Sequence, residues 1–216
     1  MKKEKAITRK ILRNGDIICI PIEGKGFAYA KYINVDVTFG ITHSYSEYVK
    51  FYIGIYPERI SDISQLNREV LIPPVSIVTY TVVKRLGWEI FYNESVFEED
   101  KTISDTKQGW PPIVFYSDES LYDSWRFFRF SPNEMNKIRS KDVPYENIKH
   151  LPLEGILSAE LIPTWLIIEN NKFLKRELED GFDTIGEKEL FILDSERNRP
   201  CYALLDKETR DRAFSE

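Results

Sequence analysis

The sequence predicts an α+β fold, β-rich from residue 14 to about residue 130 and mixed from residue 131 to the end. Three observations lead there. Residues 46–56, SEYVKFYIGIY, alternate Val49, Phe51, Ile53 and Ile55 with Tyr48, Lys50, Tyr52, Gly54 and Tyr56, the two-residue period of a strand whose aliphatic set faces a core. Residues 14–35 set Gly24 and Gly26 between two apolar alternations, which reads as a β-hairpin. From Ser131 the pattern changes to helix-start chemistry, with Ser131 at the cap, Pro132 next to it and Glu134 three residues after the cap. A strongly bent antiparallel sheet or an SH3-like small barrel accounts for the N-terminal part. The expected divisions are a basic tail (1–13), a β-rich domain (14–130) and a mixed α/β elaboration (131–216), the last either its own unit or one domain with the part before it.

Gly-x-Gly also opens phosphate-binding loops, so the hairpin has to be justified. A dinucleotide loop needs a helix directly after its glycines, whose free N–H groups hold the pyrophosphate. Phe27–Ile33 carries no helical stripe, and neither a third glycine nor Gly-Lys-Ser/Thr completes the motif. The expected elements are therefore a strand from Ile17 to Ile22, a turn from Glu23 to Gly26 and a strand from Phe27 to Val35. After Pro57, Ser61 is placed to cap one or two helical turns over SDISQLNR. VSIVTYTVV (75–83), behind the breaker Pro73-Pro74, reads as a further strand, and GWEIFYNES continues the β character. Residues 97–112, FEEDKTISDTKQGWPP, are charged and aperiodic, as in a loop or a hinge between two lobes. IVFY (113–116) reads as a strand, followed by acidic SDESLYDSW and aromatic WRFFRF. Beyond residue 131, SPNEMNKIRS, LEGILSAELIP and NKFLKRELEDG are helical patterns, the last closed by Gly181. TWLIIEN between them fits helix or strand, whereas ELFILD and CYALL read as late strands joined by SERNRP.

Composition bounds the function. Of 216 residues, 12 are Tyr and 13 Phe, an aromatic share that favours strands and leaves rings for a binding surface. The two cysteines, Cys19 and Cys201, lie far apart and Cys19 falls inside an apolar strand, which argues against a disulfide framework and for a reducing cytoplasm. No run approaches the ~20 apolar residues of a membrane span. Net charge is -5, but residues 1–13 hold six Lys/Arg against one Glu, so residues 14–216 carry -10. An acidic body repels nucleic acid, which is gripped by clustered Lys/Arg, and steers in a basic protein.

Catalytic patterns are missing from the residues themselves. His43 and His150 share no metal-ligand spacing with another His, Cys or carboxylate cluster, so no metal and no cofactor is expected. Ser44 beside His43 lacks the strand-turn-helix setting of a nucleophile elbow, and Cys19 in its strand reads as an inert buried thiol.

GDIICIPIEGKGFAYAKYI resembles the opening of the immunity protein 26 family of bacterial polymorphic toxin systems, through Gly15-Asp16, Ile20-Pro21-Ile22, Gly24 to Phe27, and Ile33. VTYTVVKRLGWEIFYNES is similar to the family's later strand and its Gly-Trp segment, here Gly87-Trp88. The resemblance covers about the first 130 residues; residues 131–216 are longer and more helical than the family pattern. A Gly-Asp-Ile opening also occurs in MazF-type endoribonucleases, but those place arginines near the following strands, and this chain has none between Arg13 and Arg59. What the resemblance implies is a non-catalytic protein that neutralises a cognate toxin, such as a nuclease, by stoichiometric binding. The rival classes are a hydrolase or nuclease using an unrecognised carboxylate site, and a nucleic-acid-binding small barrel, which the charge disfavours. Carboxylates and aromatics coincide most densely in FEEDKTISD and YSDESLYDSW. Glu98, Glu99, Asp100 and Asp105 are the expected charged rim of a partner site, with Asp118, Glu119 and Asp123 beside Tyr116, Tyr122 and Trp125 as anchors.

Overall fold

The hairpin forms where the glycines put it. In the computed structural model the described residues are 10–40, 47–79, 82–103, 105–110, 123–129, 139–152, 159–176 and 199–211. Strands β1 (Asp16–Ile22) and β2 (Gly26–Asn34) pair antiparallel, from Ile17 opposite Lys31 to Ile22 opposite Gly26. Lys25 N–H closes the turn on the Ile22 carbonyl at 3.0 Å. Gly26 sits at φ 119°, and a Cβ there would fall 2.0 Å from the Tyr56 carbonyl oxygen. The crowding arises because Phe27 and Tyr56 exchange two backbone hydrogen bonds of 2.8 Å at that point. Only glycine lets the chains come so close.

Helix α1 (Val35–Phe39) follows β2, started by the Asn34 side chain accepting from Val37 N–H at 3.0 Å. Strand β3 (Glu47–Tyr52) adds to β2, β4 (Val70–Ser76) adds to β3, and β5 (Glu89–Asn93) adds to β1. The result is a five-stranded antiparallel sheet in the order β4-β3-β2-β1-β5. Barrel closure is corrected by this order: β4 and β5 stand at opposite ends, and among the described residues they do not pair. A second antiparallel sheet of three strands, β6 (Thr106–Trp110), β7 (Ser124–Arg129) and β8 (Arg139–Val143), has β7 in its middle. Its Trp125 and Phe127 pack on Ile148 and Leu151, at and after the short helix Tyr145–Ile148.

The main core lies on one face of the larger sheet. Ile18, Ile20, Ala28, Ala30, Val49, Phe51, Ile72 and Val75 point into it, and the helix Ile162–Phe173 lays Ile162, Trp165, Leu166 and Ile168 into the same cluster. Phe51 and Trp165 meet edge to face at 6.2 Å. At ~1.5–3 kcal/mol per buried large apolar side chain, this layer dominates stability. The opposite face is covered as well, by Ile60 and Leu66 against Ile17, Cys19, Tyr29 and Tyr52, and by Val35 beside Ile33 and Tyr48.

Several sequence expectations are corrected. Pro73 and Pro74 lie inside β4 rather than before a strand, which β4 tolerates because it is an edge strand with a register shift opposite Lys50. The strand expected over residues 75–83 ends early, and Val82–Arg85 is a helical turn. Asp62, not Ser61, caps a single 3-10 turn (Ile63–Gln65), its side chain accepting from Ser64 N–H at 2.8 Å. Residues 97–112 are not all loop, since Thr106–Trp110 is β6. The helix runs through the ambiguous TWLIIEN and ends at Phe173, with Lys175 at φ 53°, so NKFLKRELEDG does not continue it as a whole. CYALL is a 3-10 turn (Tyr202–Leu204): Leu204 and Leu205 N–H each bond three residues back, at 3.0 and 3.1 Å. Arg139 and Ser140, the end of SPNEMNKIRS, begin β8. IVFY, ELFILD, the earlier part of SPNEMNKIRS and Gly181 lie outside the described residues.

Candidate functional site

Alternation along β2 and β3 sends Lys31 and Lys50 to the second face of the large sheet, directly opposite each other in register. Both are buried, 0% and 5% exposed, and like charges in that relation repel. Carboxylates must answer them, and they come from the chain after β5. Gly15 makes the approach possible: it sits at φ 85°, and a Cβ would meet the Glu94 carbonyl oxygen at 1.9 Å. Glu94 N–H donates to the Gly15 carbonyl at 3.1 Å, which holds the Glu94 carboxylate 2.9 Å from the Lys31 ammonium. Arg68 grips the same carboxylate through two bonds of 2.7 Å.

A few residues on, the 3-10 turn Glu98–Lys101 rotates Asp100 inward. One Asp100 oxygen accepts from Lys31 at 2.5 Å and the other accepts from Lys50. Phe97 N–H donates to Oδ2 at 2.8 Å. Lys31 donates also to the Ser95 carbonyl at 2.9 Å and stands 4.3 Å over the Phe97 ring, with Lys50 5.6 Å from the Tyr52 ring. Burial by itself raises the Asp100 pKa, but the hydrogen bonds from Lys31, Lys50 and Phe97 N–H outweigh it and hold the carboxyl below its ordinary value. Glu94 behaves alike: burial raises it, and Arg68 and Lys31 bring it down further. Burial, followed by the negative charges of Asp100 and Glu94, pushes the Tyr52 phenol well up.

Each charge here faces an opposite one, so what the cluster does is anchor. It ties the turn 98–101 to the middle of the sheet. A second polar set fastens the helix Ile162–Phe173, with Lys172 donating to Glu169 at 2.7 Å and to the Arg199 carbonyl at 2.9 Å. Burial pushes both thiols up, Cys19 and Cys201 alike, and they sit in different clusters, on opposite sides of the sheet.

The residues expected at a partner site separate. Glu98 and Glu99 are exposed on the anchored turn, Glu98 meeting Lys101 at 2.5 Å. Asp100 does not stand on a rim, being 1% exposed with both oxygens taken by lysines. Asp105 is largely covered and held by Arg129 through bonds of 3.0 and 2.7 Å. Asp123 is exposed just before β7. Trp125 is no surface anchor: it is 5% exposed and packs in the core of the smaller sheet, 4.7 Å from the Tyr145 ring. Tyr116, Asp118, Glu119 and Tyr122 lie outside the described residues, as does His43. Sequence reasoning missed Lys31 and Lys50, which stand in the apolar strands AYAKYI and YVKFY in the row opposite the main core set.

Among the described residues no group of three or more His, Cys, Asp and Glu is arranged to hold a metal ion, and no helix is long and apolar enough to cross a membrane. Compared with protein-family models, with curated proteins and with solved structures, the chain finds no match in any of the three.

Proposed function

We propose that this chain is an immunity protein that neutralises a cognate bacterial toxin in the cytoplasm by stoichiometric protein–protein binding, without catalysis. The observation that carries the reading is the turn 98–101: Glu98 and Glu99 face solvent while the adjoining Asp100 is locked to Lys31 and Lys50. Carboxylates carried on an anchored backbone lose less entropy on meeting a partner than the same charges on a loose loop, so they contribute more to binding. The -10 of residues 14–216 adds long-range attraction for a basic surface. A nuclease toxin, which must grip a polyanion, offers such a surface. The sequence resemblance to the immunity protein 26 family points the same way.

The reading is tested by replacing Glu98 and Glu99 with lysine and measuring association, at low and moderate salt, with a candidate toxin, taken as the product of the reading frame next to this chain's own. The association rate falls by about tenfold at low salt and its salt dependence weakens, because rim charges act through steering. Unchanged rates in a folded variant remove the turn 98–101 from the binding face.

A further inference from the structure

We propose that residues 96–101 form a charge-latched strap, hinged at Ser95, that lifts off the sheet as a unit, with the five strands intact, when Asp100 releases Lys31 and Lys50. Up to Asn93 the chain is a strand paired with β1, and Glu94 N–H still bonds the Gly15 carbonyl. From Ser95 to Lys101 the ties to the sheet among the described residues change character. They are the Lys31 bond to the Ser95 carbonyl, the Asp100 bonds to Lys31 and Lys50, and the Phe97 ring against the Lys31 ammonium.

All of these converge on two lysines. Apolar burial adds little: Asp100 is the buried residue of this stretch, and Phe97 is 44% exposed. Elsewhere the sheet is joined by backbone ladders and by apolar layers on both faces, which do not respond to the charge on one carboxylate. The strap does respond. With Asp100 charged, separating it from both lysines uncovers buried charges and is costly. With Asp100 neutral, Lys31 keeps Glu94 and the Ser95 carbonyl, whereas Lys50 gains by reaching water, which favours the open strap. The groups facing Asp100 are Lys31 and Lys50 from the strands and Phe97 N–H from the strap, with Glu94, Arg68 and Tyr52 around them. This latch follows from the geometry alone and stands whether or not Glu98 and Glu99 meet a toxin.

Two measurements test it. In the wild-type protein, amide hydrogen exchange is followed in rising sub-denaturing urea. The Phe97 amide is expected to exchange by an opening that urea barely affects, while amides of β1, β2 and β3 follow global unfolding. A Phe97 amide that tracks β2 at every urea concentration overturns the proposal. In Asp100→Asn, which keeps the shape and an acceptor for Phe97 N–H but removes the charge, trypsin is expected to cut after Lys101 at least tenfold faster than in the wild type, with circular dichroism unchanged. Cleavage at the wild-type rate in the folded variant also overturns it, and if that variant does not fold, the wild-type exchange experiment decides alone.

Discussion

Replacing Asp100 with alanine removes the charge on which two buried lysines depend. Lys31 retains Glu94 at 2.9 Å and the Ser95 carbonyl at 2.9 Å, but Lys50, 5% exposed, is left with the Tyr52 ring 5.6 Å away. Breaking a buried pair from one side costs about 3–5 kcal/mol, mostly the uncompensated charge left behind. For a chain of this size that lowers Tm by roughly 10 °C. The measurement is urea unfolding followed by tryptophan fluorescence, to which Trp88 and Trp165, 1% and 2% exposed, give a strong signal. Adding Lys50→Met to the alanine variant removes the stranded charge and is expected to restore at least about 1.5 kcal/mol. A cost below about 1 kcal/mol for the single change, or a second change that destabilises further, refutes the view that Asp100 neutralises buried lysines.

Because Asp100 and Glu94 both have lowered pKa values in the fold, their contribution is complete above the unfolded values of about 4 and is lost as pH falls through the lowered folded ones. The Tm difference between wild type and Asp100→Asn is therefore expected to narrow below about pH 4, and a gap that is constant from pH 7 to 3 contradicts the pairing. Gly26→Ala, whose Cβ would sit 2.0 Å from backbone oxygen at φ 119°, is expected to cost at least about 2 kcal/mol in urea unfolding. Gly24→Ala, at φ 68° with nothing within 4 Å, should cost only about 1 kcal/mol.

Local chemistry explains which features were legible. The hairpin and β3 could be read because turn glycines and period-2 alternation act within a few residues, and the set Val49, Phe51 and Ile53 does enter the core. What lies over a strand is another matter. Tyr48, Lys50 and Tyr52 alternate with the core set as a solvent-facing row would, yet they are buried because Val35 and the segments around Ile60, Leu66 and Asp100 come back across the sheet. The run Glu98-Glu99-Asp100 looks uniform in sequence; one 3-10 turn sends the third carboxylate inward and leaves the first two out. Pro73-Pro74 reads as a breaker unless the strand is known to be an edge. Trp125 shows the same limit, since an aromatic in WRFFRF faces the core or the solvent according to which parity the sheet buries.

The central claim is that the chain neutralises a toxin by occupying it. It is tested most directly by titrating the purified protein into the product of the neighbouring reading frame and following that product's activity. Residual activity is predicted to fall linearly with molar ratio and to end at one equivalent. Complete loss far below equivalence, as an enzyme would cause, or full activity at tenfold excess, contradicts it.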